Sequence, residues 1–411
     1  IDVIRTLASN NQENISSNTP VIRTSLWSHQ QKSADFILTG LVKHNKRGFG
    51  DASNVGSGKT LTGLYIASEL IKNNNNNNYS GILVLLPTVN LYNTWIDEIK
   101  KHTSNFDIIL QDQSGKLSGV IKKNSIVITS LARMRDHPVY NSWILCIIDE
   151  CLSVQNKDAL QTEEAWRQVL CSKHGVIMMS ATFFRSRFDK LYYMLKILNS
   201  NIPETRDYLD LILSENIVCN IRSDSKSWKV KIYKYDLDPE LRSEYNKVSN
   251  SSLDIEQIYI KLQKLLHDQF DYIFCFLDIV QELEQDEKAL IYTKSKSEAD
   301  MLVSENISRY PDKSKKHVVL SYAEGTYGLN DLVKYNTIIT RPPDGDKLPQ
   351  MKGRLDRPGN KNKEFNIIYL VADKTIDEAH LISLDMCDNF YKNHIMPIAD
   401  LYKIIRRVHN N

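Results

Sequence analysis

The sequence predicts an α/β protein with two tandem lobes, each built on a parallel, doubly wound sheet. The first observation is the length, because 411 residues provide for two to three domains of roughly 150 residues. The second is that short apolar, β-branched runs alternate with longer segments of helical periodicity, which is typical of parallel sheets covered by helices. The third is that this alternation occurs twice, on either side of a polar stretch near residue 225.

The order of these segments predicts the domain organisation. Residues 1–20 are polar, rich in Asn and Ser and without periodicity, and we expect a flexible arm there. Residues 21–225 form the expected first lobe and residues 226–411 the second. The predicted strands are 82–86, 126–128, 144–148 and 176–179 in the first lobe, and 289–293, 318–320, 337–340 and 366–371 in the second. The predicted helical segments are 188–198, 208–213 and 253–283. The cleft between two such lobes is the expected ligand site.

Composition excludes several classes of protein. The net charge of +2 argues against a bulk polycation, so any site for a polyanion must be local. No apolar run approaches the roughly 18 to 20 residues that a membrane span needs, and no membrane partner is expected. The six cysteines form no CxxC pair, which argues against a zinc site or a disulfide framework and for an intracellular, reduced protein. A chain that begins at Ile1 rather than Met is expected to be a fragment or a processed product.

A glycine-containing segment at 53–60 has the form of a phosphate-binding P-loop at the start of a helix. Small residues let backbone N–H groups surround phosphate oxygens, the lysine reaches the β and γ phosphates, and the hydroxyl binds magnesium. The predicted nucleotide-binding residues are Gly56, Ser57, Gly58, Lys59 and Thr60. The strict pattern has glycine where Ser53 stands, and an ordinary glycine-rich turn is the alternative.

A buried strand that ends in two carboxylates supports the nucleotide site. The run 143–148 is followed by Asp149 and Glu150, and doubly wound sheets bind ligands at the carboxyl ends of their strands. We therefore expect Asp149, together with Thr60, to bind magnesium, and Glu150 to orient or deprotonate the attacking water. A solvated acidic strand end is the alternative.

Taken together, these segments resemble a superfamily-two helicase-type ATPase of the Swi/Snf-like branch, and are similar to viral nucleoside triphosphatase I. Such proteins have two RecA-like lobes with ATP in the cleft between them, so the resemblance implies ATP and Mg²⁺ as cofactors. The segments that carry it are 26–30, 82–88, 92–95, 128–130, 149–152 and 179–182 in the first lobe, 220–222 at the crossing, and 321–330 and 350–360 in the second.

The resemblance also implies roles for individual residues. Gln30 reads adenine, and the segments 82–88, 92–95 and 128–130 touch the tracked nucleic-acid strand. The residues expected to contact nucleic acid are Pro87, Thr88, Thr129 and Ser130. In the second lobe, Gly328 and Asn330 belong to a Gly-Leu-Asn motif that faces the cofactor, and Arg354 and Arg357 are arginine fingers that act across the cleft.

Three departures from the family pattern modify this expectation. Leu152 replaces the usual histidine of the acidic box, which removes a polar link between the box and the neighbouring motifs, so we expect altered coupling of hydrolysis to DNA. Phe183 and Phe184 follow Thr182, where many relatives have proline. Only 15 residues separate Leu302 from Val318, where relatives have a further strand, loop and helix, so we expect a pruned second lobe.

The predicted function is that of a DNA-stimulated ATPase motor that translocates on DNA, with duplex DNA favoured. The resemblance implies a place in viral transcription or DNA remodelling, with an RNA polymerase or other nucleic-acid machinery as a further partner, and a monomeric chain. Two alternatives stay open: a strand-separating DNA or RNA helicase, and an ATP-gated subunit of low turnover that binds nucleic acid or a polymerase.

Overall fold

The computed structural model describes residues 19–181, 183, 188–198, 215–219, 226–268, 272–325, 332–343, 347–357 and 360–388. The chain divides into two units, Ile1–Ser223 and Asp224–Asn411. Nearly all of the predicted arm 1–20, the predicted helix 208–213 and the predicted boundary near residue 225 lie outside the described residues.

The first unit is built on a parallel sheet with helices in the connections. Its described strands are β1 (Val21–Ile22), β2 (Gly48–Asp51), β3 (Ile82–Leu86), β4 (Thr103–Ser104), β5 (Asp107–Leu110), β6 (Ser125–Ser130), β7 (Leu145–Asp149), β8 (Val176–Met179) and β9 (Ile217–Val218). Its described α-helices are α1 (Ser28–Leu38), α2 (Lys59–Lys72), α3 (Tyr92–His102), α4 (Leu131–Asp136), α5 (Leu160–Leu170) and α6 (Phe188–Leu198).

The strand order of the main sheet confirms the predicted doubly wound architecture. Seven strands run in the order β5-β6-β3-β7-β8-β2-β9, and every pairing among them is parallel. All five residues of β3 are fully buried, because helices cover both faces of such a sheet and its strands become continuous apolar runs. The four predicted strands of this unit are found with ends shifted by at most two residues, and the predicted helix 188–198 is α6.

Strand β2, which leads into the P-loop, was not predicted. Its sequence Gly-Phe-Gly-Asp lacks the β-branched residues that mark strands. Close packing explains the glycines: a Cβ on Gly48 would lie 2.3 Å from the carbonyl oxygen of Leu198, and one on Gly50 would lie 2.5 Å from Ile217. The sheet therefore needs glycine where α6 and β9 approach β2. Because glycine is rare in strands, these residues do not give the sequence pattern of a strand.

The second unit contains its own parallel sheet. Its described strands are β10 (Ser227–Tyr235), β11 (Ala289–Thr293), β12 (Ile307–Arg309), β13 (His317–Ser321), β14 (Thr337–Thr340) and β15 (Glu364–Ala372), in the sheet order β10-β15-β14-β11-β13-β12. Its described helices are α7 (Pro239–Ser249), α8 (Ile255–Asp268), α9 (Tyr272–Gln281), α10 (Lys296–Met301), α11 (Tyr322–Gly325), α12 (Lys347–Leu355) and α13 (Ile376–Asp388). All described pairings are parallel, which confirms two tandem RecA-like α/β lobes.

Two features of the second unit refine the prediction. The helical segment 253–283 contains two described helices, α8 and α9. The short connection between Leu302 and Val318 retains a strand, β12, which pairs with β13 at the edge of the sheet. The second unit therefore keeps this strand, although the connection is short. Among the described residues, no helix is long and apolar enough to cross a membrane.

His317 at the start of β13 makes the second unit sensitive to acid. Its ring is buried and its Nδ1 accepts a hydrogen bond from the Ala289 N–H at 3.1 Å, which ties β13 to β11. Burial and the neighbouring charge of Lys316 lower the pKa of His317 from 6.5 to about 4. The unfolded chain therefore takes up this proton at a higher pH than the folded chain, and stability falls as pH drops from 6.5 towards 4.

We expect His317→Asn, which keeps an acceptor near the Ala289 N–H, to reduce this acid sensitivity. The free energy of unfolding should change less between pH 7 and pH 5 than in the wild type, and the whole histidine contribution is about 1 to 3 kcal/mol. Urea unfolding at both pH values measures it. Substitution of the exposed His44 by Asn is the control and should not reproduce the effect of His317→Asn. Equal pH dependence of the His317 variant and the wild type would contradict the assignment.

Candidate active site

The predicted catalytic residues of the first unit lie at one edge of its sheet. Strands β7, β8 and β2 are neighbours, and Met179 pairs in register with both Asp149 and Asp51. Their carboxyl ends are therefore level. Asp149 ends β7 and Glu150 follows it, Ser180 follows β8, and the P-loop follows β2. The edge is the place where a doubly wound sheet binds its ligands.

The P-loop has the backbone that a phosphate-binding loop requires. Gly56 and Gly58 both have φ of 75°, in the left-handed region that favours glycine. Gly58 precedes the first residue of α2, and that helix has neither a side-chain cap nor an acidic residue in its first turn. Gly58 also touches α1, because an added Cβ would lie 2.1 Å from Gln30 Nε2. The free N-terminal N–H groups and the helix dipole favour an anion at this position.

Side chains of the loop fit a polyphosphate. The Lys59 ammonium donates to the carbonyls of Ser53 at 2.8 Å and Asn54 at 3.2 Å, so it lies across the loop. Ser57 Oγ is buried and has no hydrogen-bond partner among the residues that the structure describes. An orphaned buried hydroxyl is costly unless a ligand pairs with it. The residues predicted for the phosphates are thus brought together by the fold.

Both oxygens of the Asp149 carboxylate are held by N–H groups. Oδ2 accepts from the Trp95 indole at 2.9 Å and Oδ1 accepts from the Glu150 backbone at 3.0 Å. Burial raises the pKa of Asp149, and the Trp95 hydrogen bond and the charge of Lys59 lower it in part. The two hydrogen bonds therefore fix the orientation of the carboxylate.

Glu150 adopts a strained backbone conformation, with φ of 47°. Non-glycine residues in this region concentrate at functional sites. Its Oε2 accepts a hydrogen bond from the Ser180 hydroxyl at 3.1 Å. The replacement of histidine by Leu152 was expected to remove a polar link between the acidic box and segment 179–182, but Ser180 provides such a link directly.

The arrangement also fits a magnesium ion. Among the described residues there is no cluster of three or more His, Cys, Asp or Glu side chains that would bind a metal. Mg²⁺ bound to a nucleotide does not need one, since it usually takes one or two protein ligands and the phosphate oxygens. Asp149 and Thr60, which lies in the first turn of α2, are the pair predicted for this role, and that assignment stays a prediction.

Gln30 is held against the P-loop. Its side chain is buried; Nε2 donates to the Gly58 carbonyl at 3.1 Å and Oε1 accepts from the Trp27 N–H at 2.8 Å. The neighbouring His29 places Nε2 2.9 Å from the Ser57 carbonyl. The start of α1 thus contacts the P-loop through two side chains. That Gln30 recognises adenine stays a prediction. His29 was missed by the sequence analysis, although its position beside Gln30 was a signal.

The residues predicted to contact nucleic acid follow two neighbouring strands, β3 and β6. Pro87 and Thr88 come directly after β3 and are half-buried. Thr129 and Ser130 are buried: Thr129 Oγ1 donates to Gln111 at 2.6 Å, and Ser130 Oγ accepts from the Arg133 N–H at 3.3 Å as the cap of α4. Both hydroxyls therefore form hydrogen bonds within the first unit. Their contact with nucleic acid stays a prediction.

Segment 92–95 differs from its prediction. It was expected to touch the nucleic-acid strand, but it forms the first turn of α3, and the Trp95 side chain is 1% exposed. The indole contacts Asp149 instead. The expectation is therefore wrong for Trp95, because the apolar face of an amphipathic helix turns towards the sheet.

The second unit contains the two predicted arginine fingers. Arg354 lies in α12 and is largely buried, and its Nε donates to the Gly325 carbonyl at 3.1 Å. Arg357 follows that helix, is half-buried, and donates from Nε to the Gly353 carbonyl at 2.8 Å. Gly325 of the first motif and Arg354 of the second thus meet within this unit. Gly328 and Asn330 lie outside the described residues.

The fold and this site define a nucleotide-binding protein with two RecA-like lobes. Residues 29–267, more than half of the chain, match the family described as the SNF2-related domain. The chain belongs to this family of helicase-type ATPases, as the sequence resemblance indicated.

Two individual proteins are similar to this chain. A protein of Acanthamoeba polyphaga mimivirus named "Putative helicase L115" is 48% identical over 398 residues, which are 95% of this chain and 32% of that protein. The chain thus spans about a third of the length of this relative. The Sulfolobus solfataricus SWI2/SNF2 ATPase core, solved in complex with dsDNA, has a TM-score of 0.46 and 15% sequence identity, and the match covers 96% of this chain and 97% of that one.

Proposed function

We propose that this chain is a DNA-stimulated ATPase motor that translocates on duplex DNA. The observation that carries the proposal is the meeting of the P-loop lysine, the Asp149–Glu150 pair and Ser180 at the level ends of three adjacent strands. This set has the parts that phosphoryl transfer needs: cationic contacts for the phosphates, a metal-binding carboxylate and a group that positions water. Membership of the SNF2-related family supports the same reaction.

Each residue then has a role in hydrolysis. Lys59 and the N–H groups at the start of α2 would bind the β and γ phosphates, and Asp149 and Thr60 would hold Mg²⁺, which would supply positive charge for the phosphate oxygens. Glu150 orients the attacking water and accepts its proton. The Ser180 hydroxyl donates to Oε2 of Glu150 and so helps to orient this carboxylate.

We infer that the second unit completes the site when it docks on the P-loop edge of the first. Arg354 and Arg357 then stabilise the charge that spreads over the transferred phosphoryl group, because a planar guanidinium pairs with two oxygens at once. Repeated docking and release of the two lobes would move the chain along DNA. The support for this role is the resemblance of segment 350–360 to the arginine-finger motif of the family.

The partners of the proposed motor follow from its resemblance to viral nucleoside triphosphatase I. We infer duplex DNA as the track, and a place in viral transcription or DNA remodelling beside an RNA polymerase or similar machinery, with the chain acting as a monomer. The similarity to a mimivirus protein supports a viral setting. The word helicase in the name of that relative favours strand separation as the second candidate function.

ATP turnover with different nucleic acids tests the proposal. We expect low turnover of the protein alone and a rise of at least tenfold with duplex DNA, because the rate gain from completing the arginine-finger site is about 10³-fold or more. Single-stranded DNA and RNA should stimulate less. The strongest stimulation by single strands would favour the helicase, and turnover that is unaffected by any nucleic acid would favour an ATP-gated binding subunit.

A further inference from the structure

We propose that Trp95 is a positioning residue for Asp149, and that helix α3 links the nucleic-acid-facing strand ends to the magnesium carboxylate. This inference rests on the proposed ATPase function. It concerns a residue outside the P-loop and the acidic box, and it assigns to α3 a role in coupling.

The first step of the argument is the geometry at Asp149. The Trp95 indole N–H is the side chain's sole polar group, and it donates to Oδ2 at 2.9 Å from a fully packed position. The Glu150 N–H holds Oδ1. Loss of the indole N–H would leave the carboxylate held at Oδ1 alone, so that it could turn about its Cβ–Cγ bond. Groups that orient a metal-binding side chain commonly contribute 10- to 100-fold to metal affinity.

The second step is the contact made one turn earlier on the same helix. The Tyr92 hydroxyl accepts a hydrogen bond from the Ser130 backbone N–H at 2.8 Å, at the end of β6. The Arg133 guanidinium lies over the Tyr92 ring, 5.3 Å from its centroid. Residues at positions i and i+3 share one face of a helix, so one face of α3 contacts both the end of β6 and Asp149.

The third step is the absence of the usual coupling residue. Leu152 has no polar group with which to link the acidic box to its neighbours. Two side-chain hydrogen bonds nevertheless join the box to other segments, the Trp95 bond to Asp149 and the Ser180 bond to Glu150. Of these two, Trp95 lies on the helix that reaches the predicted nucleic-acid edge, so a shift at Ser130 is transmitted to the magnesium ligand through α3.

The test is Trp95→Phe in the full chain, with Trp143→Phe as a matched control. Trp143 is also fully buried in the first unit and also donates its indole N–H to a side-chain oxygen, that of Gln168 at 2.7 Å. We expect Trp95→Phe to raise the Mg²⁺ concentration for half-maximal binding of a fluorescent ATP analogue about tenfold. Its affinity for the analogue in EDTA and its melting temperature should match those of Trp143→Phe.

The link through α3 is tested with Tyr92→Phe, which removes only the hydroxyl that binds Ser130. In the wild type we expect duplex DNA to lower the Mg²⁺ midpoint, because two coupled sites change each other's affinity. Tyr92→Phe should keep the midpoint measured without DNA and lose the shift caused by DNA.

The outcomes separate this inference from the proposed function. If the wild type binds the analogue with a Mg²⁺ dependence and Trp95→Phe has the same midpoint, the positioning role is wrong and the ATPase assignment stands. Equal weakening by Trp95→Phe and Trp143→Phe would mean that Trp95 acts only in packing. If the wild type shows no Mg²⁺-dependent binding, the proposed function is wrong and the inference falls with it.

Discussion

Glu150→Gln should leave ATP bound and reduce its hydrolysis by about 10²- to 10⁴-fold, the usual contribution of a general base. Glutamine keeps the shape of the side chain and can still contact the Ser180 hydroxyl, which lies 3.1 Å from Oε2, but it does not accept the proton of the attacking water. Lys59→Ala should differ from Glu150→Gln in its effect on binding. The lysine meets the phosphates directly, so its removal should weaken ATP affinity as well as turnover.

Binding of a fluorescent ATP analogue and steady-state turnover, measured on the same preparations, distinguish the two variants. Glu163→Gln is the matched control, because Glu163 is an exposed glutamate in the first turn of α5 in the same unit. It should behave as the wild type in both assays. Normal hydrolysis by either site variant would show that the P-loop and the acidic pair are not the catalytic site.

The parts of this site that the sequence predicted are those defined by local pattern. Asp149 and Glu150 were found because a continuous apolar run marks a buried strand, and a parallel sheet places functional residues where such strands end. Lys59 and Thr60 were found because a P-loop combines glycines, a lysine and a hydroxyl in a short segment. In each case the residues that matter are neighbours along the chain.

The contacts that the sequence did not predict join residues far apart along the chain. Trp95 and Asp149 are 54 residues apart, and His29 and Ser57 are 28 apart. Helical periodicity indicates that Trp95 faces the sheet, but not which strand end its N–H reaches. Ser180 is a similar case: its motif was recognised, yet its bond to Glu150 depends on β8 lying beside β7, a strand order that periodicity does not specify.

Arg357→Ala tests the proposed two-lobe mechanism and should reduce DNA-stimulated turnover by about 10³-fold or more, the usual contribution of an arginine finger. ATP affinity and DNA binding should stay near those of the wild type, because the finger acts on charge that develops in the transition state. Arg357 belongs to the second unit and Lys59 to the first. A large effect on hydrolysis therefore requires the second unit to contribute to chemistry at the P-loop.

The alternative is that Arg357 stabilises its own loop, through the Gly353 carbonyl to which its Nε donates or through Asp356 or Asp346. That role predicts a lower melting temperature rather than a selective loss of turnover. Arg242→Ala is the control for it, since the half-buried Arg242 bonds the backbone carbonyls of Asp373 and Lys374 in the same unit. We expect Arg242→Ala to lower the melting temperature and retain most turnover, whereas Arg357→Ala should do the reverse. If Arg357→Ala left both the melting curve and the turnover near normal, hydrolysis would not depend on this residue and the two-lobe mechanism would be wrong.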